Sequence, residues 1–122
     1  MLIVRQEQFD ALAADAQRRF HEELRKFLIA GYPAAVAGIP DDELRARIAA
    51  AAARAADHRL TFQSSLAVFV AATFTVGERF DRYPPIAAIL GKPLSEEHRM
   101  GRLQRLPEGV WREARAYCEA LP

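Results

Sequence analysis

The chain has 122 residues, 51% of them hydrophobic, with 17 basic and 16 acidic side chains for a formal net charge of +1. That length and apolar content fit one domain with a hydrophobic core and exclude a disordered chain, while the near-neutral balance removes any global field that would draw it onto nucleic acid or an anionic membrane. The single cysteine, Cys118, excludes an internal disulfide and a cysteine-based zinc site.

Residues Met1 to Val4 are apolar and are expected to lie extended against the core. They are followed at once by Arg5, Gln6 and Glu7, which is not the pattern of a signal peptide, so the expected location is the cytoplasm. From about Arg5 a long amphipathic helix is predicted, with Phe9, Leu12, Ala13, Ala16, Phe20, Leu24, Phe27 and Leu28 at three- and four-residue steps and charged residues on the other side. Gly31, Tyr32 and Pro33 end it, and a short helical turn at Pro33 to Ala37 closes at Gly38. Asp41, Asp42 and Glu43 mark the start of the next helix, where the helix dipole favours acidic side chains. It runs to about Asp57 on an alanine-rich face that lets a neighbour approach closely.

The stretch from Leu60 to Gly77 carries no charge and has apolar residues on every face, so it is predicted to be a central helix surrounded by the rest of the chain, with Thr61 as its N-cap. Its threonines, serines and Gln63 make it too polar for a membrane span. After it come Phe80, Asp81, Tyr83 and the pair Pro84-Pro85, a short helix from Ile86 to Leu90, a helix capped by Ser95, and a last helix opened by Pro107. No strand pattern, repeat or linker interrupts this order. The predicted fold class is all-α, a single compact bundle of about five to seven helices around a buried central helix.

Catalytic and metal-binding patterns are not found. His21, His58 and His98 lie in three segments without metal-ligand spacing, no HExxH, CxxC, GxSxG or phosphate-loop motif occurs, and Cys118 sits on an apolar helix face. The acidic pairs at Asp41-Asp42 and Glu96-Glu97 are explained as helix starts. The sequence therefore points away from an enzyme, and no cofactor or metal is expected.

Two local features suggest partner binding. Arg99, Arg102 and Arg105 recur every three residues along the Ser95 helix, a stripe suited to an acidic protein surface or to phosphates; the plainer alternative is a solvated face paired with nearby glutamates. Phe80, Asp81 and Tyr83 form a loop whose composition suits recognition, against the alternative of a rigid connector whose aromatics fold back on the core.

The order of RQEQF, a long helix ending in FLIAGYP, the DDELRARI helix, and an uncharged helix leading to VGERFD and the proline pair resembles a group of small bacterial helical proteins encoded beside type VI secretion spike and PAAR-type effector proteins. The resemblance covers roughly residues 3 to 106. It departs at Ile86, which follows Pro85 where the group's pattern places a tryptophan soon after the proline. The resemblance implies no catalytic residues. It implies an accessory role: an adaptor or chaperone that holds a secreted effector or spike component, or alternatively an immunity protein that blocks a toxin. A DNA-binding regulator, drawn from the last two helices as a helix-turn-helix, is the third reading, disfavoured by the charge balance.

Overall fold

The computed structural model describes residues 6–122, with side chains of the first helix described from Ala14 onward. The expectation for Met1 to Val4 lies outside these residues. The described chain is all-helical: α1 (Gln6–Gly31), α2 (Pro33–Val36), α3 (Asp41–Asp57), α4 (Gln63–Thr75), a 3-10 turn (Phe80–Arg82), α5 (Pro84–Leu90), α6 (Glu96–Gln104) and α7 (Glu108–Ala120).

Each boundary has a local cause. Glycine and proline end α1 and open α2, and the amide of Tyr32 still donates to the Leu28 carbonyl at 2.8 Å. The acidic first turn of α3 is bound sideways to α1. Arg25 and Arg45 both hold Asp41, at 2.7 and 2.8 Å, and both reach Glu22, at 3.2 and 2.6 Å. Hydrogen bonds from Arg45 and then Arg25 hold the Asp41 carboxyl below its ordinary range. At its far end α3 closes with two returning bonds, from Leu60 N–H to Ala55 O at 3.2 Å and from Arg59 N–H to Ala56 O at 2.9 Å. That closure requires a left-handed residue, and Arg59 takes it with φ of 61° where glycine is usual.

The core forms as two apolar clusters that meet on α4. Phe69 and Ala72 of α4 face Phe80, Ile86, Leu90, Met100, Leu103 and Ala114 from the C-terminal half. Val70 and Ala71 face Leu24, Leu28, Val36, Leu44 and Ile48 from the N-terminal half. One uncharged helix thus serves as the inner wall of both. Small residues make the close approach possible, because Ala51, Ala52 and Ala55 on the α3 face are all buried.

The start of α4 differs from the sequence expectation. Phe62, not Thr61, occupies the N-cap position and no local side chain caps the helix. Glu96 of α6 does so from outside. Its carboxylate accepts from the Thr61 amide at 2.8 Å, the Thr61 hydroxyl at 2.9 Å and the Phe62 amide at 2.8 Å. Burial works to raise the Glu96 pKa, but the Phe62 and Thr61 amides, with the Ser65 and Thr61 hydroxyls, outweigh it and hold the group down at about 2.

Candidate functional site

The sequence named six residues for partner binding, and the fold separates them into two sets. Phe80 is fully buried, with its ring 4.9 Å from that of Phe69 and 6.4 Å from that of Trp111. Asp81 is buried too; Arg54 pairs with one carboxylate oxygen and His58 Nε2 lies 2.8 Å from the other. Tyr83 is half-buried, donates its hydroxyl to Glu113 at 2.7 Å and stacks near Tyr117 at 5.4 Å. The bond to Glu113 raises the phenol above its usual range. This loop is therefore the connector whose aromatics fold back on the core, not an exposed recognition loop. The space that an exposed loop would face is taken by α3 and α7.

The arginine stripe is corrected in the same way at its first member. Arg99 is 2% exposed, and its guanidinium donates to four carbonyls: His58 at 2.7 Å, Leu90 at 3.0 Å, Leu94 at 3.2 Å and Arg59 at 3.2 Å. His58 and Arg59 lie where α3 ends and Leu90 ends α5, with Leu94 just before the α6 cap, and a cation there also complements the dipoles of α3 and α5. Arg99 is a cap shared by two helices, and it offers nothing to a partner. Arg102 is exposed, as is Arg105, whose Nε donates back to the Gly101 carbonyl at 2.9 Å.

His98 bonds Ser95, with Nδ1 2.8 Å from the hydroxyl, and Ser95 accepts the His98 amide as the expected N-cap. Burial pushes the Cys118 thiol up, which disfavours the nucleophilic thiolate. Cys118 also closes tightly on the chain: a Cβ added at Gly77 would stand 2.5 Å from its Cβ. Among the described residues no three histidine, cysteine, aspartate or glutamate side chains gather as a metal site. The Asp81–His58 pair borders none of the four surface cavities characterised on this chain.

What the fold does leave open is a groove along α4. Its floor is Ala67, Val68, Ala71, Ala72, Thr75 and Val76; one wall is Phe27 and Tyr32 at the end of α1, and the other is Leu106, Glu108 and Trp111 where α6 turns into α7. The volume is about 480 Å³. Phe27 and Tyr32 remain 43% and 37% exposed, and their rings meet edge to face at 5.6 Å. The groove lies over the seam of the two clusters, since Ala71 belongs to one and Ala72 to the other. A larger cavity of about 650 Å³ between the start of α4 and α6 is more polar, bordered by Ser64, Ser65, Glu97, His98, Gln104 and Arg105, with Phe62 at 54% exposure.

Sequence reasoning placed Phe27 on the apolar face of α1 and expected α4 to be enclosed all round. Nothing in the sequence marks which side of α4 stays uncovered. No family model, curated protein or solved structure matches the chain. No helix among the described residues is long and apolar enough to cross a membrane.

Proposed function

We propose that this chain is a non-enzymatic, protein-binding accessory protein of the adaptor or chaperone kind, acting in the bacterial cytoplasm on a type VI secretion effector or spike component. The observation that carries the binding part is the aromatic-walled groove on α4, because exposed apolar residues gathered in one concave place suit another polypeptide's apolar side chains. The type VI part rests on the resemblance in RQEQF, FLIAGYP, DDELRARI and VGERFD.

Immunity toward a toxin is the second reading. It is favoured by Arg102 and Arg105, which remain exposed on α6 and can meet an acidic cleft by charge complementarity. The regulator reading loses support, because burial of Arg99 takes a cation out of the stripe that DNA phosphates would need.

The test is co-expression with the products of the flanking genes followed by affinity capture, comparing the natural chain with Phe27→Asp and Arg102→Glu, both at exposed positions. A stable complex lost in Phe27→Asp and kept in Arg102→Glu supports the adaptor reading. Loss only in Arg102→Glu, together with protection of cells from an adjacent toxin, selects immunity. Absence of any complex overturns both.

A further inference from the structure

Building on the protein-binding reading above, we infer that the occupant of the α4 groove is an amphipathic α-helix of the partner, with one basic side chain directed at Glu108. The floor, from Ala67 to Thr75, runs eight residue steps along α4, roughly 12 Å at 1.5 Å per residue and therefore about two turns of a second helix laid beside it. Small side chains on that floor allow interaxial approach at the short end of the roughly 8–10 Å range, so a helix can sit between the walls with its apolar face down.

Backbone chemistry selects helix over extended peptide. An extended segment would bring an unpaired N–H and C=O at every residue into an apolar trench, and such groups are expensive to bury unpaired. The floor cannot supply partners. The Thr75 hydroxyl already donates to the Ala71 carbonyl at 2.9 Å, and the Thr75 carbonyl at the end of the helix already accepts from Arg115 at 2.9 Å. Nor is there a sheet edge among the described residues to pair with. A helix brings its backbone already satisfied and offers side chains at i, i+4 and i+7, which is the helix-in-groove mode of recognition.

Charge then fixes the polarity of the occupant. Among the described residues Glu108 is the one charged residue lining the groove, and it stands in the first turn of α7. An arginine or lysine at one end of the partner's apolar seam pairs with it; a glutamate there is repelled. The volume of about 480 Å³ also falls within the roughly 300–1,000 Å³ of small-molecule sites, so a small apolar ligand is the competing occupant that the experiment must separate.

Trp111 forms part of the wall and is the chain's single tryptophan, so its emission reports occupancy directly. The probes are designed helical peptides of alanine and glutamine with leucines at i, i+4 and i+7. One series carries an arginine at either end of the seam, a second replaces it with glutamate, and a third keeps the arginine but has a central proline; lauric acid is the small-molecule probe. The expected result is a saturable Trp111 blue shift with the better arginine peptide and about tenfold weaker binding of its glutamate counterpart. Glu108→Lys should reverse that preference, and the proline peptide should give no shift.

Equal binding of the proline peptide overturns the helical occupant, and indifference to the arginine-to-glutamate change overturns the role of Glu108. A shift with lauric acid alone assigns the groove to a small ligand and overturns the inference. If no peptide shifts Trp111 up to about 1 mM, the inference also fails. Partner capture that is still lost in Phe27→Asp would then leave the protein-binding reading standing, whereas capture indifferent to Phe27→Asp removes that reading as well.

Discussion

Replacing Arg99 with methionine separates a buried cap from a surface cation, two roles that sequence spacing alone leaves equivalent. Methionine keeps much of the volume and the flexible stem but withdraws every donor from the carbonyls of His58, Leu90, Leu94 and Arg59. Hydrogen bonds from a charged donor contribute roughly 1.5–3 kcal/mol each, and the four do not add, because water and small shifts re-satisfy some acceptors. Breaking a buried charged network typically costs about 3–5 kcal/mol, which is the expected loss here. Against a total stability of about 5–15 kcal/mol that is a large fraction. For a chain of this size each kcal/mol moves the midpoint by roughly 3–6 °C, so thermal unfolding followed by circular dichroism should shift down by about 10–25 °C. Arg99→Lys, which keeps the charge but not the planar fork, should lie between the two. Arg102→Met and Arg105→Met, at exposed positions, should stay within about 0.5 kcal/mol. A change below about 1 kcal/mol in Arg99→Met would refute the capping role and return Arg99 to the surface stripe.

Glu96→Gln tests the external cap of α4 through pH. The folded-state pKa of about 2 lies below the unfolded value near 4.5. The ionised carboxylate therefore contributes stability that is fully present above about pH 4.5 and lost as pH falls toward about 2. Urea unfolding should show the variant weaker than the natural chain by about 1–2 kcal/mol near neutrality, with the gap closing at low pH; a gap independent of pH would show that charge is not what matters. Gly77→Ala should destabilise by about 1–3 kcal/mol, because its new Cβ meets the Cys118 Cβ rather than the tip of a flexible side chain, and Cys118→Gly should relieve part of the loss where Cys118→Ser does not. Arg59→Gly should raise stability by a few tenths to about 1 kcal/mol in the same urea assay, since glycine accepts φ of 61° without strain; no gain would mean that the entropy glycine adds to the unfolded chain cancels the benefit.

Elements with a local cause were legible in the sequence. The glycine-proline stop after α1, the acidic start of α3 and the Ser95 cap depend on residues within a turn of one another, and each falls where local chemistry puts it. What could not be read depends on distant chain. Arg99 and Arg102 share a three-residue spacing, yet only Arg99 meets the ends of α3 and α5, and nothing in α6 itself announces that two helices terminate there. Phe80 and Asp81 read as a recognition loop because aromatics, acid and proline together fit either role; their burial was decided by distant chain, with Phe69 and Trp111 packing on Phe80 and α3 bringing Arg54 and His58 to Asp81. The groove was hidden for the converse reason. Phe27 has the same periodicity as the buried Leu24 and Leu28, and its exposure follows from the absence of a further helix over that side of α4 among the described residues.

The clamp and the groove are connected through the connector between α3 and α4. Residues His58 to Phe62 are held at both polar ends by α6, with the Arg99 guanidinium on the carbonyl end of α3 and the Glu96 carboxylate on the amide end of α4. The two side chains stand one helical turn apart and have opposite charge, matching the opposite signs of the two helix termini they meet. α6 belongs to the C-terminal cluster, while α3 contributes Leu44, Ile48, Ala51 and Ala52 to the N-terminal cluster and Ala55, at its end, to the C-terminal one, so these bonds tie α6 to a helix that spans both. The groove walls are drawn one from each side: Phe27 and Tyr32 extend from the N-terminal helices, Leu106 and Trp111 from the C-terminal ones. We expect its width to depend on the same polar contacts that close the helix ends. Loosening the clamp should change partner binding even though neither Glu96 nor Arg99 lines the groove, and that effect should scale with the loss of stability, whereas Phe27→Asp should abolish binding while leaving the fold in place.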